Sequence, residues 1–286
     1  MADKIRKIIL SRKGFDSTCG FIPSPIIGED LISMPIPEEN ISGDTSRLLS
    51  YEDLIYKGTD YRSILRDLAP KRDYRYCHMD PDLSCANQKT PIDGWRPAFG
   101  QVDAAKGILN NNGVTTGDII LFFGWFRRAE RCEDGHYRFI PRNVGAFYDH
   151  SDLHVIYGYM EIGEVIIKRE DIEKYYWHPH SMPYYLDNRT NTLYRPADTL
   201  SILDGYAGYG LLPFNEKRVL TKENRCRSIW GDPRLGNDLI TKRKNAEGND
   251  LVRYRGRWQE LIYEGSDGML AFARTVISGK EQPPTR

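Results

Sequence analysis

Two apolar runs dominate the polarity pattern. Gly117-Asp118 opens the run Ile119-Ile120-Leu121-Phe122-Phe123, which ends at Gly124-Trp125-Phe126. A second run follows a charged insert: Leu153-His154-Val155-Ile156-Tyr157-Gly158-Tyr159-Met160-Glu161-Ile162-Gly163-Glu164-Val165. Apolar runs bounded by turn residues read as buried strands. Together they predict two paired core strands whose ends, rich in Trp, Phe, Tyr and Arg, face a pocket. Residues 5–10 predict a shorter strand entering the polar loop 11–17, and Gly20, Pro23 and Pro25 forbid a helix after it. That strand therefore does not open the strand-to-helix turn of a phosphate loop or a dinucleotide fold, and neither glycine motif occurs anywhere.

The remaining elements are shorter. A hairpin is predicted over Pro25-Ile26-Ile27 and Leu31-Ile32-Ser33-Met34, turning at Gly28-Glu29-Asp30. Ser50-Tyr51-Glu52-Asp53 reads as the capped start of a short helix stopping at Gly58. Thr59-Asp60 opens a second helix, through Ile64, Leu65 and Leu68, ended by Pro70. Residues 74–77 read as a strand with 78–82 as the loop at its end. Val102, Ala105 and Leu109 have helical spacing within 99–109. The insert 127–152 holds a further strand around Tyr137-Arg138-Phe139-Ile140. One helical turn is expected at 170–173, and a turn at 188–191 between two tyrosine-containing strands. Residues 200–213 are punctuated by glycine, residues 219–221 and 258–263 read as strands, and Pro283-Pro284 marks a loose tail. No repeat or linker divides the chain. The expected fold class is α+β: a single domain over residues 1–286, with a mixed, barrel-like β core, peripheral short helices, and residues 231–286 as a C-terminal β extension.

Composition narrows the functional classes. The chain has 286 residues, 40 basic and 40 acidic, so a generally basic nucleic-acid coat is absent and any polyanion contact must be local. No apolar run reaches membrane-spanning length, and the start, Met-Ala-Asp-Lys-Ile-Arg-Lys, carries no apolar segment of signal-peptide length. A cytoplasmic setting with no membrane contact is expected. The five cysteines are scattered without a Cys-x-x-Cys pair, which reads as reduced thiols and argues against a zinc ribbon. No nucleophile elbow or kinase signature is present.

Four groups can carry chemistry. The loop 11–17, with Arg12, Lys13 and Asp16, and Ser24 nearby, reads either as a phosphate-binding strand end or as a solvated turn with a local ion pair. His78-x-Asp80-x-Asp82 places imidazole and carboxylates on one side of an extended segment, for a metal or for acid–base work; an Asx-type turn explains it equally well. His178-Pro179-His180 presents two imidazoles that chelate a metal only with further ligands, and otherwise line a pocket with hydrogen-bonding groups. Trp125, Phe126, Tyr157, Tyr159, Tyr176 and Trp177 suit either base stacking or core packing, beside an insert carrying Arg127, Arg128, Arg131, Arg138 and Arg142.

In consistent order, several of these blocks resemble the nucleotide modification-associated domain family, third type. They are Leu10-Ser11-Arg12-Lys13-Gly14-Phe15-Asp16 with Pro23-Ser24-Pro25-Ile26, His78-Met79-Asp80-Pro81-Asp82-Leu83, and Phe99-Gly100-Gln101 leading to Gly117 through Arg127. His154-Val155-Ile156-Tyr157-Gly158-Tyr159 and Trp177-His178-Pro179-His180 complete the set. The resemblance is carried by residues 1–230. It implies association with modified nucleotides or DNA in prokaryotes and their viruses, and fixes no reaction. Gly117-Asp118 before a strand, with Ile162-Gly163-Glu164-Val165, is also similar to PUA-like barrels such as the EVE and ASCH groups, a fold-level analogy. On this basis the expected function is an enzyme acting on nucleotides or bases. Asp16, His78, Asp80, His178 and His180 are the expected acid–base groups. Arg12, Lys13 and Ser24 would hold phosphate, Trp125 and Phe126 would stack a base, and Gln101 would bond its edge. Arg127, His154 and Tyr157 complete the substrate-binding set. No metal is assigned and no cofactor identified. The expected partner is a nucleotide or nucleic acid, DNA ahead of RNA, with partner proteins of a DNA-modification or phage-defence operon. The alternatives are a non-catalytic reader of modified bases and a subunit of such a complex.

Overall fold

A computed structural model describes residues 6–39, 41, 45–142, 145–237, 239–240, 252–254 and 260–281. Ten strands form one mixed sheet. We number them β1 (Lys7–Arg12), β2 (Ser24–Ile27), β3 (Asp30–Leu31), β4 (Phe99–Gln101), β5 (Ile119–Arg131), β6 (Tyr137–Phe139), β7 (Leu153–Ile166), β8 (Thr192–Pro196), β9 (Tyr209–Leu211) and β10 (Glu260–Glu264). The main path runs β10-β1-β5-β7-β8-β4, with β2, β3, β6 and β9 on its flanks. The two apolar runs are β5 and β7, which pair antiparallel, as their pattern predicts. They read as continuous apolar sequence because both faces are covered. Ile119, Leu121 and Phe123 pack in one core cluster with Ile8 and Leu10, while Ile120 and Phe122 pack in another with Ile9. Between Phe122 and Phe123 the register shifts, so Tyr157 is an extra residue on β7. Such a bulge re-aims the side chain it carries.

β1 and β5 are parallel, from Ile8 opposite Ile119 to Arg12 opposite Phe123. β10 pairs antiparallel on the other side of β1. The far end of the path returns to this place: Gln101 Nε2 on β4 donates to Glu260 Oε1 on β10 at 2.6 Å. The sheet is thus curled until side chains of its two terminal strands bond, the half-barrel expected of this α+β chain.

A separate packing unit covers residues 15–79. The helix α1 (Tyr61–Leu68), with Asp60 capping its N-terminus through Ser63 N at 2.8 Å, packs Ile64 and Leu65 against Phe15, Met34, Tyr51 and Met79. A three-stranded sheet of Ile36–Pro37, Tyr76–His78 and Leu49–Ser50 lies in the same unit, with Tyr76–His78 in the middle. A small cluster of Ala98, Ile166, Ile172, Tyr175 and Leu193 supports the short helices Arg169–Ile172 and Pro183–Leu186.

Several expectations are corrected. Ser50 does not start a helix. Its amide and hydroxyl both bond Asp53 at 2.7 Å, which closes a turn, and Ile55–Tyr56 then pairs with Thr59–Asp60. Residues 99–101 are strand, and the helix α2 (Asp103–Asn111) begins only after Val102. Residues 127–131, read as the start of the charged insert, continue β5. Ahead of the turn at 188–191 lies the helix Pro183–Leu186, not a strand. Residues 219–221 make only isolated bridges, to Val155 and Trp230. The C-terminal β extension contains β10, but its longest element is the helix α3 (Asp267–Ser278). Ser266 caps α3 and Gly279 ends it in a left-handed conformation at φ +71°, while Met269, Phe272, Ala273 and Val276 face the core. Trp258, Gln259 and the Pro283-Pro284 tail lie outside the described residues. No described helix is long and apolar enough to cross a membrane.

Lys106 on α2 is buried, donates to Tyr194 Oη at 2.9 Å and lies 4.9 Å from that ring's centroid. Burial pushes its pKa down from 10.5 to about 8. Below that value the folded chain holds a cation that the unfolded chain hydrates freely. The cost is full at neutral pH and fades as pH rises from about 8 to 10.5. Lys106→Met is therefore expected to raise the urea midpoint at pH 7 and to lose that advantage near pH 10.5. An equal gain at both pH values would contradict this.

Candidate functional site

Three packing units meet at one place and bring the titratable blocks together. The middle strand Tyr76–His78 ends on His78, opposite Ile36. Glu38 N donates to Tyr76 O at 3.0 Å, which sets the Glu38 carboxylate beside the imidazole, with His78 Nδ1 2.8 Å from Glu38 Oε2. Asp80 follows two residues later. The single turn Pro179–Ser181 takes His178 as its cap: His178 Nδ1 accepts from His180 N at 3.2 Å. β4 closes the group from the sheet side, where Gly100 N donates to Asp80 Oδ1 at 2.6 Å.

The result is a cleft of about 210 Å³ lined by Arg12, Lys13, Asp16, His78, Asp80, Gln101 and His180. All seven were singled out from the sequence. His178 stands just behind it, fully buried, with Nε2 at 3.4 Å from Asp80 Oδ1. That approach is not aligned as a hydrogen bond, so the Nε2 atom has no protein partner in bonding geometry. The ring of Tyr185 stacks on His180 at 4.7 Å and lies 5.2 Å from His78. The cleft opens into a shallower groove of about 500 Å³ that shares Thr18, Cys19, His78 and Tyr185 and includes Phe21 and Arg72. Phe21 is half exposed, adopts φ +67°, and carries the Arg72 guanidinium 4.1 Å from its ring centroid. A bulky residue held in that region is strained, and such strain gathers at functional places.

Both cations of the loop already face carboxylates. Arg12 Nη2 is 2.7 Å from Asp16 Oδ2, and the other oxygen of Asp16 accepts from Thr18 N, Thr18 Oγ1 and Cys19 N at 2.5–2.7 Å. Asp16 is thus the organiser of its loop. Lys13 Nζ lies 3.8 Å from Glu260 Oε1 and 4.5 Å from the Phe99 ring centroid. Burial raises the pKa of Glu260, although Lys13, Ser11 and Gln101 all favour its charge; its Oε2 is buried without a partner. Burial also opposes ionisation of Asp80, but the nearby His178 and Lys13 outweigh it and hold that carboxyl below the usual range. His180 is pushed down to about 3 by burial, so it is neutral at pH 7. Its Nδ1 meets Asn191 Oδ1 at 2.7 Å, while Asn191 Nδ2 donates to His180 O at 2.9 Å. An amide oxygen only accepts, so Nδ1 carries the proton and Nε2 keeps its lone pair.

The aromatic end of β5 does not join this cleft, which corrects the expected single pocket. Phe126 is fully buried in the core. Trp125 donates through Nε1 to Asp152 at 3.2 Å and is covered by the Arg227 guanidinium at 3.9 Å. Arg127 donates to Ile140 O at 2.5 Å. His154 is enclosed by Phe123, Trp230 and Tyr254, and its Nδ1 accepts from Trp230 Nε1 at 3.0 Å. Burial, with Arg227 and Arg12 nearby, holds His154 well below its usual pKa. Ser24 Oγ accepts from Met34 N at 3.0 Å. Tyr157, aimed by its bulge, lines a small cavity of about 70 Å³ behind Asp80. Asp82 turns away to accept from Trp95 at 2.9 Å and Gln88 at 2.8 Å, and burial raises its pKa to about 6.

Five residues essential to the geometry escaped sequence reading: Glu38, Gly100, Tyr185, Asn191 and Glu260. Glu38 and Glu260 sit in unremarkable charged sequence, and Asn191 reads as an ordinary turn residue. Gly100 carried a signal, since it lies in the short block Phe99-Gly100-Gln101. A Cβ there would fall 2.3–2.4 Å from ring atoms of His180. Gly100→Ala is therefore expected to cost about 1–3 kcal/mol through overpacking. Gly107→Ala on α2, where a Cβ meets nothing within 4 Å, is expected to gain about 0.5–1 kcal/mol. Urea denaturation of both variants checks the contrast; equal effects would show that His180 is not packed on Gly100.

No curated protein and no solved structure matches the chain. The model of the family described as nucleotide modification associated domain 3 matches residues 7–271, which takes in every element of the cleft. The chain accordingly belongs to the nucleotide modification associated domain 3 family.

Proposed function

We propose that the chain is an enzyme acting on a nucleotide, or on a base within a nucleic acid, and that its chemistry takes place in the cleft of His78, Asp80 and His180. One observation carries this reading: titratable groups from three packing units converge on one cleft that opens to a groove large enough for a nucleotide. A binding module needs no neutral, buried imidazole beside an ionised carboxylate, whereas proton transfer does. His180 Nε2, unprotonated at neutral pH, accepts a proton from substrate. Asp80 holds the charge that develops, with Gly100 N fixing its orientation. Gln101 would bond a base edge, with Glu260 setting which way its amide faces. The stacking surface moves from Trp125 to Phe21, whose exposed ring and Arg72 stand in the groove. DNA ahead of RNA, a role in defence, and operon partners remain part of this proposal through the family resemblance alone.

A second reading, a non-catalytic reader of nucleic acid, draws on the other side of the molecule. There Arg142, Arg225 and Arg227 line a groove of about 280 Å³ next to Trp125. Arginines beside an aromatic suit a phosphate backbone and a base.

Turnover and binding assays on a panel of nucleotides and of modified and unmodified DNA separate the two. Asp80→Asn is expected to lower kcat by about 100-fold or more while leaving the dissociation constant within about threefold, because acid–base groups act mainly in the transition state. Phe21→Ala is expected to raise KM with a smaller effect on kcat. If no substrate in the panel turns over, and Arg225→Glu with Arg227→Glu abolishes binding, the enzyme reading fails and the reader stands.

A further inference from the structure

We infer that His78, Asp80 and His180 form a binding site for one divalent first-row transition-metal ion. The inference rests on the cleft of the proposed function but is decided by binding, without turnover. One donor atom from each of the three residues lies within 4.8 Å of the other two. Ligands about 2.0–2.2 Å from an ion stand about 3–3.5 Å apart, so binding draws the three side chains inward by a small rotation.

The surroundings are those of a metal centre. A ligating histidine donates its second ring N–H to a carboxylate or carbonyl, which fixes its tautomer and raises its basicity. Both histidines are so arranged: His78 Nδ1 faces Glu38 Oε2 at 2.8 Å, and His180 Nδ1 faces Asn191 Oδ1 at 2.7 Å. In each ring that leaves Nε2 for a ligand, and at His180 an ion there takes the place of the substrate proton. Asp80 is oriented by Gly100 N at 2.6 Å, and Tyr185 fixes the His180 ring by stacking. Charge points the same way. The neighbouring cations Arg12 and Lys13 already face Asp16 and Glu260, at 2.7 and 3.8 Å. A bound dication would balance the Asp80 carboxylate and supply the positive charge that a phosphate or polarised base oxygen needs.

Donor chemistry selects the ion. Two imidazoles and one carboxylate suit Zn²⁺, Fe²⁺, Mn²⁺ or Co²⁺, whereas Mg²⁺ and Ca²⁺ prefer oxygen throughout. Three protein ligands leave positions open to water or substrate, as in catalytic rather than structural centres.

The test starts from protein stripped by a chelator and dialysed. Titration calorimetry with Zn²⁺, Mn²⁺ and Co²⁺, and with Fe²⁺ under exclusion of air, is expected to give one ion per chain. X-ray absorption of the wild-type complex is expected to count two imidazoles, which requires no variant to fold. Asp80→Asn, His78→Gln and His180→Gln should each weaken binding tenfold or more, and Glu38→Gln about tenfold. His136→Gln, an exposed histidine paired with Asp67, should leave it unchanged. Absence of a stoichiometric ion, an ion without imidazole ligands, or binding indifferent to the three ligand substitutions would overturn the site. Metal binding without turnover would remove the proposed enzyme and keep the site. Turnover by protein that takes up no stoichiometric ion would keep the enzyme and remove the site.

Discussion

The hydrogen bond between Gln101 and Glu260 is the contact on which the arrangement depends. Its two residues belong to the first and last strands of the main sheet path, so it records the curl of the whole sheet in one distance, 2.6 Å. β4 is only three residues long and pairs with β8 alone. It is also held by the bridge of Ala98 to Asp82 just before it and by Gly100 N on Asp80, and the link to Glu260 adds the one contact that joins it to the far end of the path. A hydrogen bond to a charged group contributes about 1.5–3 kcal/mol, but removing the partner of a buried carboxylate costs more than the bond contributes. Ser11, Lys13 and Gln101 together make a buried Glu260 tolerable. Gly100 sits beside Gln101, and through it the curl reaches Asp80 by a backbone amide and His180 by ring packing. The cleft is thus a consequence of how far the sheet closes.

The same dependence explains what the sequence could and could not disclose. β5 and β7 were legible because strands covered on both faces must be apolar at nearly every position, whatever packs on them. β4 was not, because its three residues run directly into helical spacing that continues to Leu109. α3 has a serine cap and a terminal glycine, yet Met269-Leu270-Ala271-Phe272 is too short an apolar run to tell helix from strand by pattern alone. In the cleft, His78-x-Asp80 and His178-Pro179-His180 drew notice as dense titratable blocks. Their partners did not: Glu38 lies 40 residues from His78 and Glu260 lies 159 from Gln101, separations that only the fold resolves. The family resemblance was borne out by the match over residues 7–271, but it carried no information on which of its blocks face one another.

His154 and His180 show why residue type alone misleads. Both are buried, both are driven to the neutral form by burial, and both lie in blocks that suggest a site. Their difference is in the use of the ring nitrogens. At His154 the indole of Trp230 donates to Nδ1, which spends the lone pair inside the core, and aromatic rings close every side. At His180 the asparagine takes the Nδ1 proton instead, and the unprotonated Nε2 remains on the edge that borders the cleft. One hydrogen bond of opposite sense turns a packing histidine into one with a free lone pair.

That lone pair would be of little consequence in water, where a histidine near its ordinary pKa is half protonated and hydrated. Burial changes its value. With the pKa of His180 near 3, the nitrogen is unprotonated across the physiological range and does not have to shed a proton before it accepts one or binds an ion. Burial also strengthens its interaction with the adjacent ionised Asp80, because the protein interior screens charge less than water does. The neighbouring cations are already neutralised by Asp16 and Glu260, so the cluster is a concentrated electron donor within a locally balanced field. Such a cluster attracts a proton or a metal ion before it attracts a phosphate. On the proposed reading, phosphate recognition would therefore fall either to an ion held at His78, Asp80 and His180 or to the arginines of the outer grooves, because Arg12 and Lys13 already face Asp16 and Glu260.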